Sequence, residues 1–579
     1  MHLKSASSTI EEIRIATFHR ERDGLRMKKV PENDQTPLEK AAAYLQACES
    51  VQNTSGVDEV RKALREGGIH WPDHPDPSLD LVHQVFYMSG KLFTSVFFQV
   101  ELNTSVDGKE RPVVGLGLDE SYMHVLKMLD KHSATKRILG HFKLTYATFA
   151  ATPAVANDKD RFQTLFDDLM EIGPNFANVT SEATAADDSE ILVVKPGDLP
   201  TVASATDYKT WDMALRRNFN ETFDNVASVT IVRPKYFKTV FWALAKYGLP
   251  RMLDVFGWAA VQSLVHYSDW KLITSYYFSS EDQAVEAHQM RCSRETYASF
   301  RFAINVAAGL LVHDTTLNDV TNVANEVWQA LADVLSDQQR TLLGDHVPPS
   351  KEAYLTALLE HHRISKPDKV DAFYSVVPAM TKEPLYNYVT VKAALWSHMR
   401  DPELKDMMWA RRLELSTHLK GYSLLPRELN FPWWEAGAPY AIALGGLGVR
   451  MAATLYFQML AKQSNGDRTN MDNFKCLAPS VREDADVVDD IPAAAAALRV
   501  VWKAWQKAKA RNSSLEMRLG PAHSDAVLFV SHCYFSCGRD AYHELLCNVP
   551  LMHSHDFARL YGCAKGSHMN PEKKCNITI

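Results

Sequence analysis

Residues 444–460, LGGLGVRMAATLYFQML, decide how this chain is read. Gly445, Gly446 and Gly448 lead into a run in which Leu447, Val449, Met451, Leu455, Tyr456, Phe457 and Leu460 fall on every side of a helix. A helix that is apolar all round belongs inside a domain rather than on its surface. The pattern predicts one buried helix entered through the glycines.

Working outward, the 579 residues are too many for one ordinary core, so two or more domains are expected. Hydrophobic content of 46% and charged content of 23% are ordinary globular values. A net charge of -7 with no long basic run argues against nucleic acid as a partner. No apolar run approaches the ~18–20 residues of a membrane-spanning helix, and residues 1–24 contain no apolar signal core. No phosphate-cradling glycine loop and no Gly-x-Ser-x-Gly string occurs, which leaves nucleotide and serine-hydrolase chemistry without support.

The expected fold class is mainly α. Helical periodicity runs through 37–66 (two helices around Asn53-Thr-Ser-Gly56), 80–100, 122–131, 134–151, 160–172, 234–247, 251–267, 282–312, 314–338 and 350–363. Residues 109–118 read as β-like, and the small, polar, acidic stretch 179–207 as an irregular connection. A helix is expected in 385–420, then the buried helix, then helices at 491–511 and 523–545 before an irregular tail with cysteines. The composition shift places a domain boundary near 385, giving 1–385 and 386–579.

Eight cysteines, Cys48, Cys292, Cys476, Cys533, Cys537, Cys547, Cys563 and Cys575, show no zinc-finger spacing, so spacing alone leaves disulfides and free thiols both open. Asn53, Asn103, Asn178, Asn220, Asn512 and Asn576 each begin an Asn-x-Ser/Thr glycosylation sequon.

The tail is the most distinctive text in the chain. Asn548-Val-Pro-Leu-Met-His-Ser554, Phe557-Ala-Arg-Leu-Tyr-Gly-Cys563 and above all Met569-Asn-Pro-Glu-Lys-Lys-Cys575 resemble the C-terminus of the neprilysin and endothelin-converting-enzyme family of zinc metallopeptidases. Weaker likenesses follow in the family's order: Tyr44-Leu-Gln-Ala-Cys48, Gly68-Ile-His-Trp-Pro72, Arg291-Cys292, Glu428-Leu-Asn-Phe-Pro432 and residues 529–538. The ending departs from the family, which closes Cys-x-x-Trp where this chain has CNITI.

The resemblance implies a large helical cap domain and a thermolysin-like (zincin) domain enclosing a chamber. It implies an extracellular or cell-surface ectodomain, with the sequons and cysteines in use. It pairs Cys48 with Cys292 and Cys476 with Cys575. The family's partners for Cys537 and Cys563, and its membrane anchor, would precede Met1, and Cys533 and Cys547 are additional; a bond among Cys533, Cys537, Cys547 and Cys563 stays open.

The family's glycine run leads into a His-Glu-x-x-His helix. Laid over it without gaps, Ala453 takes the first zinc His, Thr454 the catalytic Glu and Phe457 the second His. Two imidazoles one helical turn apart hold the metal, and the glutamate accepts a proton from the metal-bound water. Neither Ala453 nor Phe457 coordinates zinc, and Thr454 accepts no proton at neutral pH. The family's third ligand and its neighbouring Asp fall on Asp486 and Asp490, four apart on one helical face. The plainer reading of the two is a solvated acidic run, and Glu483 is an alternative ligand position. The substrate-gripping Asn-Ala-Tyr-Tyr strand falls on Leu419, Lys420, Gly421 and Tyr422, with the Asn replaced by Leu419. The family's transition-state His segment is missing between Cys537 and Cys563, and His553 and His555 read as a surface pair.

The resulting expectation is a degenerate member of the family, with no catalytic residue and no bound metal, acting by binding a peptide or protein as decoy, scaffold or regulator. The alternatives are an active zinc endopeptidase with relocated ligands such as Asp486 and His553, and a truncated product without function.

Overall fold

The computed structural model describes the chain outside residues 1–8, 76–77, 104–110, most of 119–134, 186–190, 278–279, 310–313, 338–349, 359–366, 399–433, 435–436, 462–475, 478–489, 516–517, 520–521, 540 and 576–579. Among the described residues helices dominate, and the strands form one four-stranded sheet and a two-stranded ribbon. The mainly α expectation holds.

The chain divides into two units. The first comprises Gly24–Ser299 and Tyr374–Asp406; the second comprises His2–Asp23, Phe300–Phe373 and Met407–Ile579. This differs from a single cut near 385. Composition records what a segment is made of, whereas the units record what it packs against, and Phe300–Phe373 packs with the C-terminal part. Phe300, at φ -121° and ψ 26°, leaves helical geometry inside the Glu281–Gly309 helix at the residue where the grouping changes.

In the first unit, local signals set the early helices. Thr36 accepts from the Glu39 amide at 3.3 Å while its own amide donates to the Glu39 carboxylate at 2.9 Å. This reciprocal cap, with Pro37 in the first turn, starts the Pro37–Ser50 helix. The Asn53–Gly56 turn then separates it from Val57–Glu66, as expected. The sheet has the order β1-β2-β4-β3, with β1 Gln99–Asn103, β2 Val113–Gly117, β3 Ile191–Val194 and β4 Ser228–Val232. Only the β2–β4 pair is parallel. Val114 sits beside Val229 and Leu116 beside Ile231, so the face shared by the central strands β2 and β4 is apolar and buried.

Two expectations fail here. The helix expected over 80–100 stops at Gly90, because Phe93 and Phe97 take left-handed φ of 51° and 65° and the chain then enters β1. The connection expected over 179–207 contains the end of the Lys159–Ala185 helix, strand β3 and short helical turns. Four apolar residues, Ile191–Val194, are too few to show periodicity alone; pairing to β4 makes them a strand.

The Gly68–Pro72 turn is locked from behind. The Arg161 guanidinium donates to both Asp254 carboxylate oxygens at 2.8 and 2.7 Å and to the carbonyls of Pro72 and Asp73. Trp71 meets Phe142 and Tyr146 edge-on, with Gly257 leaving room for its ring.

The second unit is built around the Val449–Ala461 and Asp490–Arg511 helices, with Asp314–Asp337, Ser524–Phe535 and Ala541–Met552 contributing to the same core. The single helix expected over 523–545 is two, broken around Ser536-Cys537-Gly538. Disulfides join Cys48 to Cys292 in the first unit, and Cys476 to Cys575 and Cys533 to Cys547 in the second. The first two are the pairs implied by the resemblance; the third selects among the options left open. Cys537 and Cys563 are free thiols.

Candidate functional site

The buried helix is present, and its glycine run changes its geometry. A short α-helix, Tyr440–Ala443, passes into a π-helical turn, Leu444–Gly448, and then into α-helix Val449–Ala461. The glycines serve close approach. A Cβ on Gly445 would collide with the Leu528 carbonyl, and one on Gly446 with the Phe535 ring, so the Ser524–Phe535 helix can lie against the backbone. The Ser531 hydroxyl donates to the Ile442 carbonyl at 2.9 Å and closes the same contact.

Past the turn, Ala453 has no solvent exposure. Thr454, at 2% exposure, donates its hydroxyl to the Arg450 carbonyl at 3.0 Å, one turn back along its own helix. Ala452 and Ala453 share a core with Ala493, Ala495, Ala496 and Ala497 of the Asp490–Arg511 helix, and the two helices pack through these small side chains. A methyl group sealed in a core and a hydroxyl spent on a carbonyl do not fit a zinc ion, which needs imidazole, thiolate or carboxylate donors at about 2.0–2.3 Å. Phe457 lies in the helix backbone, but its side chain is outside the described residues, as are Leu419, Lys420, Gly421, Tyr422, Glu483 and Asp486.

Asp490 is described, and it is no member of a solvated run. It is buried at the first position of its helix and accepts the Tyr542 hydroxyl at 2.8 Å. A carboxylate there is favoured by the helix dipole. His553 also differs from expectation. It is buried, and its Nδ1 accepts from the Cys575 amide at 2.9 Å, whereas His555 is exposed. The surface-pair reading fails because Cys575, bonded to Cys476, brings the tail backbone over the His553 ring.

Of the sequons, Asn53, Asn178, Asn220 and Asn512 are exposed. Asn220 also caps the Tyr208–Phe219 helix in left-handed geometry at φ 55°. Asn512 accepts from the Ser514 amide and hydroxyl. Asn103 lies in β1, paired with Val113, and Asn576 is outside the described residues.

One constellation escaped the sequence reading. Cys48, His288 and Cys292 form, among the described residues, a buried trio of metal-binding types. The signal was there: His288 precedes Cys292 by one helical turn. The sulfurs, however, are bonded to each other. His288 Nε2 lies 3.0 Å from the Cys48 carbonyl and 3.6 Å from the Cys292 sulfur. Burial pushes the His288 ring down to about 4, against the raising effect of its bond to Cys48. It is a neutral ring packed on a disulfide.

No family model matches this sequence, and no curated protein does. Solved structures do. The zinc metalloprotease Zmp1 of Mycobacterium tuberculosis in complex with an inhibitor aligns at TM-score 0.63 and 14% identity, over 97% of this chain and 92% of that one. PepO from Lactobacillus rhamnosis aligns at TM-score 0.63 and 12% identity, over 99% and 95%. A Haemonchus galactose-containing glycoprotein complex aligns at TM-score 0.61 and 12% identity, over 99% and 94%. At such identities the likeness establishes the fold, shared from end to end: it is that of the neprilysin-like zinc metalloproteases, the family that the tail resembles.

Proposed function

We propose that this chain is a pseudopeptidase: a metallopeptidase fold that does not cleave peptides and acts by binding a peptide or protein. Ala453 and Thr454 carry the reading. Where the family places its first zinc ligand and its proton acceptor, this chain has a sealed methyl and a hydroxyl bound to its own helix. Losing a positioned base alone costs on the order of 10²–10⁴ in rate. Losing two imidazoles as well removes most of the metal's coordination.

The intact scaffold supports a binding role, since the two implied disulfides are formed and the fold matches along its length. The disulfides and exposed sequons support an extracellular, glycosylated protein. Among the described residues no helix is long and apolar enough to cross a membrane.

The test measures zinc in the purified full chain alongside hydrolysis of a mixed peptide pool with and without a chelator. The expected result is zinc far below one ion per chain and no chelator-sensitive cleavage. Stoichiometric zinc with chelator-sensitive cleavage would overturn the proposal in favour of relocated ligands such as Asp486 and His553.

A further inference from the structure

The first unit contains a cluster that the pseudopeptidase reading leaves unused. Cys48 on the Pro37–Ser50 helix meets His288 and Cys292, which lie one turn apart on the Glu281–Gly309 helix. The three are buried, at 3%, 0% and 0% exposure, and their ligand atoms lie within 4.8 Å of one another. The imidazole is oriented by its neighbours: His266 stacks on it at 6.2 Å, and Trp270 meets it edge-on at 5.8 Å.

While the sulfurs are bonded to each other, the trio has no open valence. Reduction by a dithiol opens it: the reductant closes into its own disulfide, and Cys48 and Cys292 become thiols. The remaining geometry is close to that of a zinc site. Tetrahedral zinc with nitrogen and sulfur ligands at about 2.0 and 2.3 Å holds those two atoms about 3.5 Å apart. His288 Nε2 already lies 3.6 Å from the Cys292 sulfur. Two thiolates on one zinc stand about 3.8 Å apart, within side-chain reach of cysteines whose Cα atoms are separated by 5.7 Å. The charge also fits. Each thiol releases a proton to solvent, so a divalent ion with two thiolates and a neutral imidazole is net neutral, the form that burial tolerates. Nε2, which donates to the Cys48 carbonyl at 3.0 Å, gives up that bond, and the ring proton moves to Nδ1, a buried atom with no partner among the described residues. Arg291 and Glu295 nearby are paired with each other at 2.7 Å and add no net charge.

We propose that the Cys48–Cys292 bond is a redox-gated zinc site. In the oxidised chain a disulfide joins the two helices; in the reduced chain Cys48, Cys292 and His288 hold one zinc ion, which keeps them joined and leaves a fourth position open. Thiolate and imidazole donors select zinc over calcium or magnesium. The site fills only after reduction, so the zinc content of the oxidised chain bears on the pseudopeptidase reading and not on this one.

The test uses the full chain purified under a phosphine, which competes little for zinc, and never oxidised. Cobalt(II) titration reads sulfur ligation through the thiolate-to-cobalt absorption, and zinc is read by metal content and by the denaturation midpoint. Reduced Cys292→Ser and reduced His288→Gln are compared with the reduced wild type, so none of the three has a disulfide and all share the cysteines outside the trio. The wild type is expected to take up one more ion per chain than Cys292→Ser. His288→Gln is expected to bind that ion at least tenfold more weakly. Zinc is expected to raise the midpoint of the reduced wild type above that of Cys292→Ser, and the oxidised chain is expected to lack the extra ion. No extra uptake by the wild type, wild-type affinity in His288→Gln, an unmoved wild-type midpoint, or equal uptake by the oxidised chain would each overturn the proposal.

Discussion

Two helices of this protein can be compared as candidate metal sites, Glu281–Gly309 and Val449–Ala461, and they have opposite faults. On Glu281–Gly309, His288 and Cys292 retain the chemistry to bind a metal, and Cys48 completes the trio, but the sulfurs are tied in a disulfide and the ring is buried beside it. On Val449–Ala461, the glycine approach and the buried helix are intact, but positions 453 and 454 hold a methyl and a hydroxyl. Ligand-type residues without a free valence, and a site-like backbone without ligands, are equally poor metal sites. Residue type and the state of its neighbours must both be right.

Breaking the first helix's bond should have the largest effect. The Cys48–Cys292 link spans 244 residues, and closing such a loop stabilises by roughly 5 kcal/mol in the chain-entropy account. Cys48→Ala with Cys292→Ala is expected to lower the denaturation midpoint accordingly. A shift under about 1 kcal/mol would mean that the bond restrains little.

Next comes pH. His288 and His532 are both held near 4 by burial, against about 6.5 when unfolded. A depressed folded value means that the unfolded chain binds the extra proton first. Their stabilisation is therefore complete above pH 6.5 and is lost as pH falls towards 4, by about 3 kcal/mol for each ring. Arg291 and Glu295 act on His288 in opposite senses, so burial sets the direction. His288→Gln should flatten the slope of urea stability between pH 6.5 and 4, leaving the His532 share; an unchanged slope would refute the assignment.

On the second helix, Ala453→His tests whether an imidazole can be restored. At a position with no exposure it is expected to cost about 1–3 kcal/mol through overpacking. Combined with Thr454→Glu and Phe457→His, it should still leave zinc well below stoichiometry; full zinc uptake would show a metal site intact behind the substitutions. The smallest effect is Thr454→Ala, which removes a hydroxyl that donates to the Arg450 carbonyl of its own helix. A change within about 0.5–1 kcal/mol is expected by thermal melting, and a larger loss would give that hydroxyl a second role.

Much of the fold was readable from local patterns. Capped or strongly periodic helices, such as Pro37–Ser50, Pro234–Tyr247 and Asp490–Arg511, appear where periodicity puts them. The errors fall where neighbours decide. Phe93 and Phe97 look helical by spacing, yet both are turned into left-handed geometry where the chain leaves the helix for β1. Ile191–Val194 looks like part of a loop until β4 pairs with it.

At the candidate site the same division holds. Side-chain chemistry is intrinsic to the residue, so the sequence alone shows that Ala453, Thr454 and Phe457 offer no imidazole or carboxylate, and its tail strings point to the fold. Packing is not intrinsic. The close approach of Leu528 and Phe535 to the glycines of the π turn, the burial of Asp490 and His553, and the choice of Cys533–Cys547 over the other pairings were set by which distant segments meet. Those meetings maximise buried apolar area across residues far apart in the chain, and no local window of sequence contains that sum.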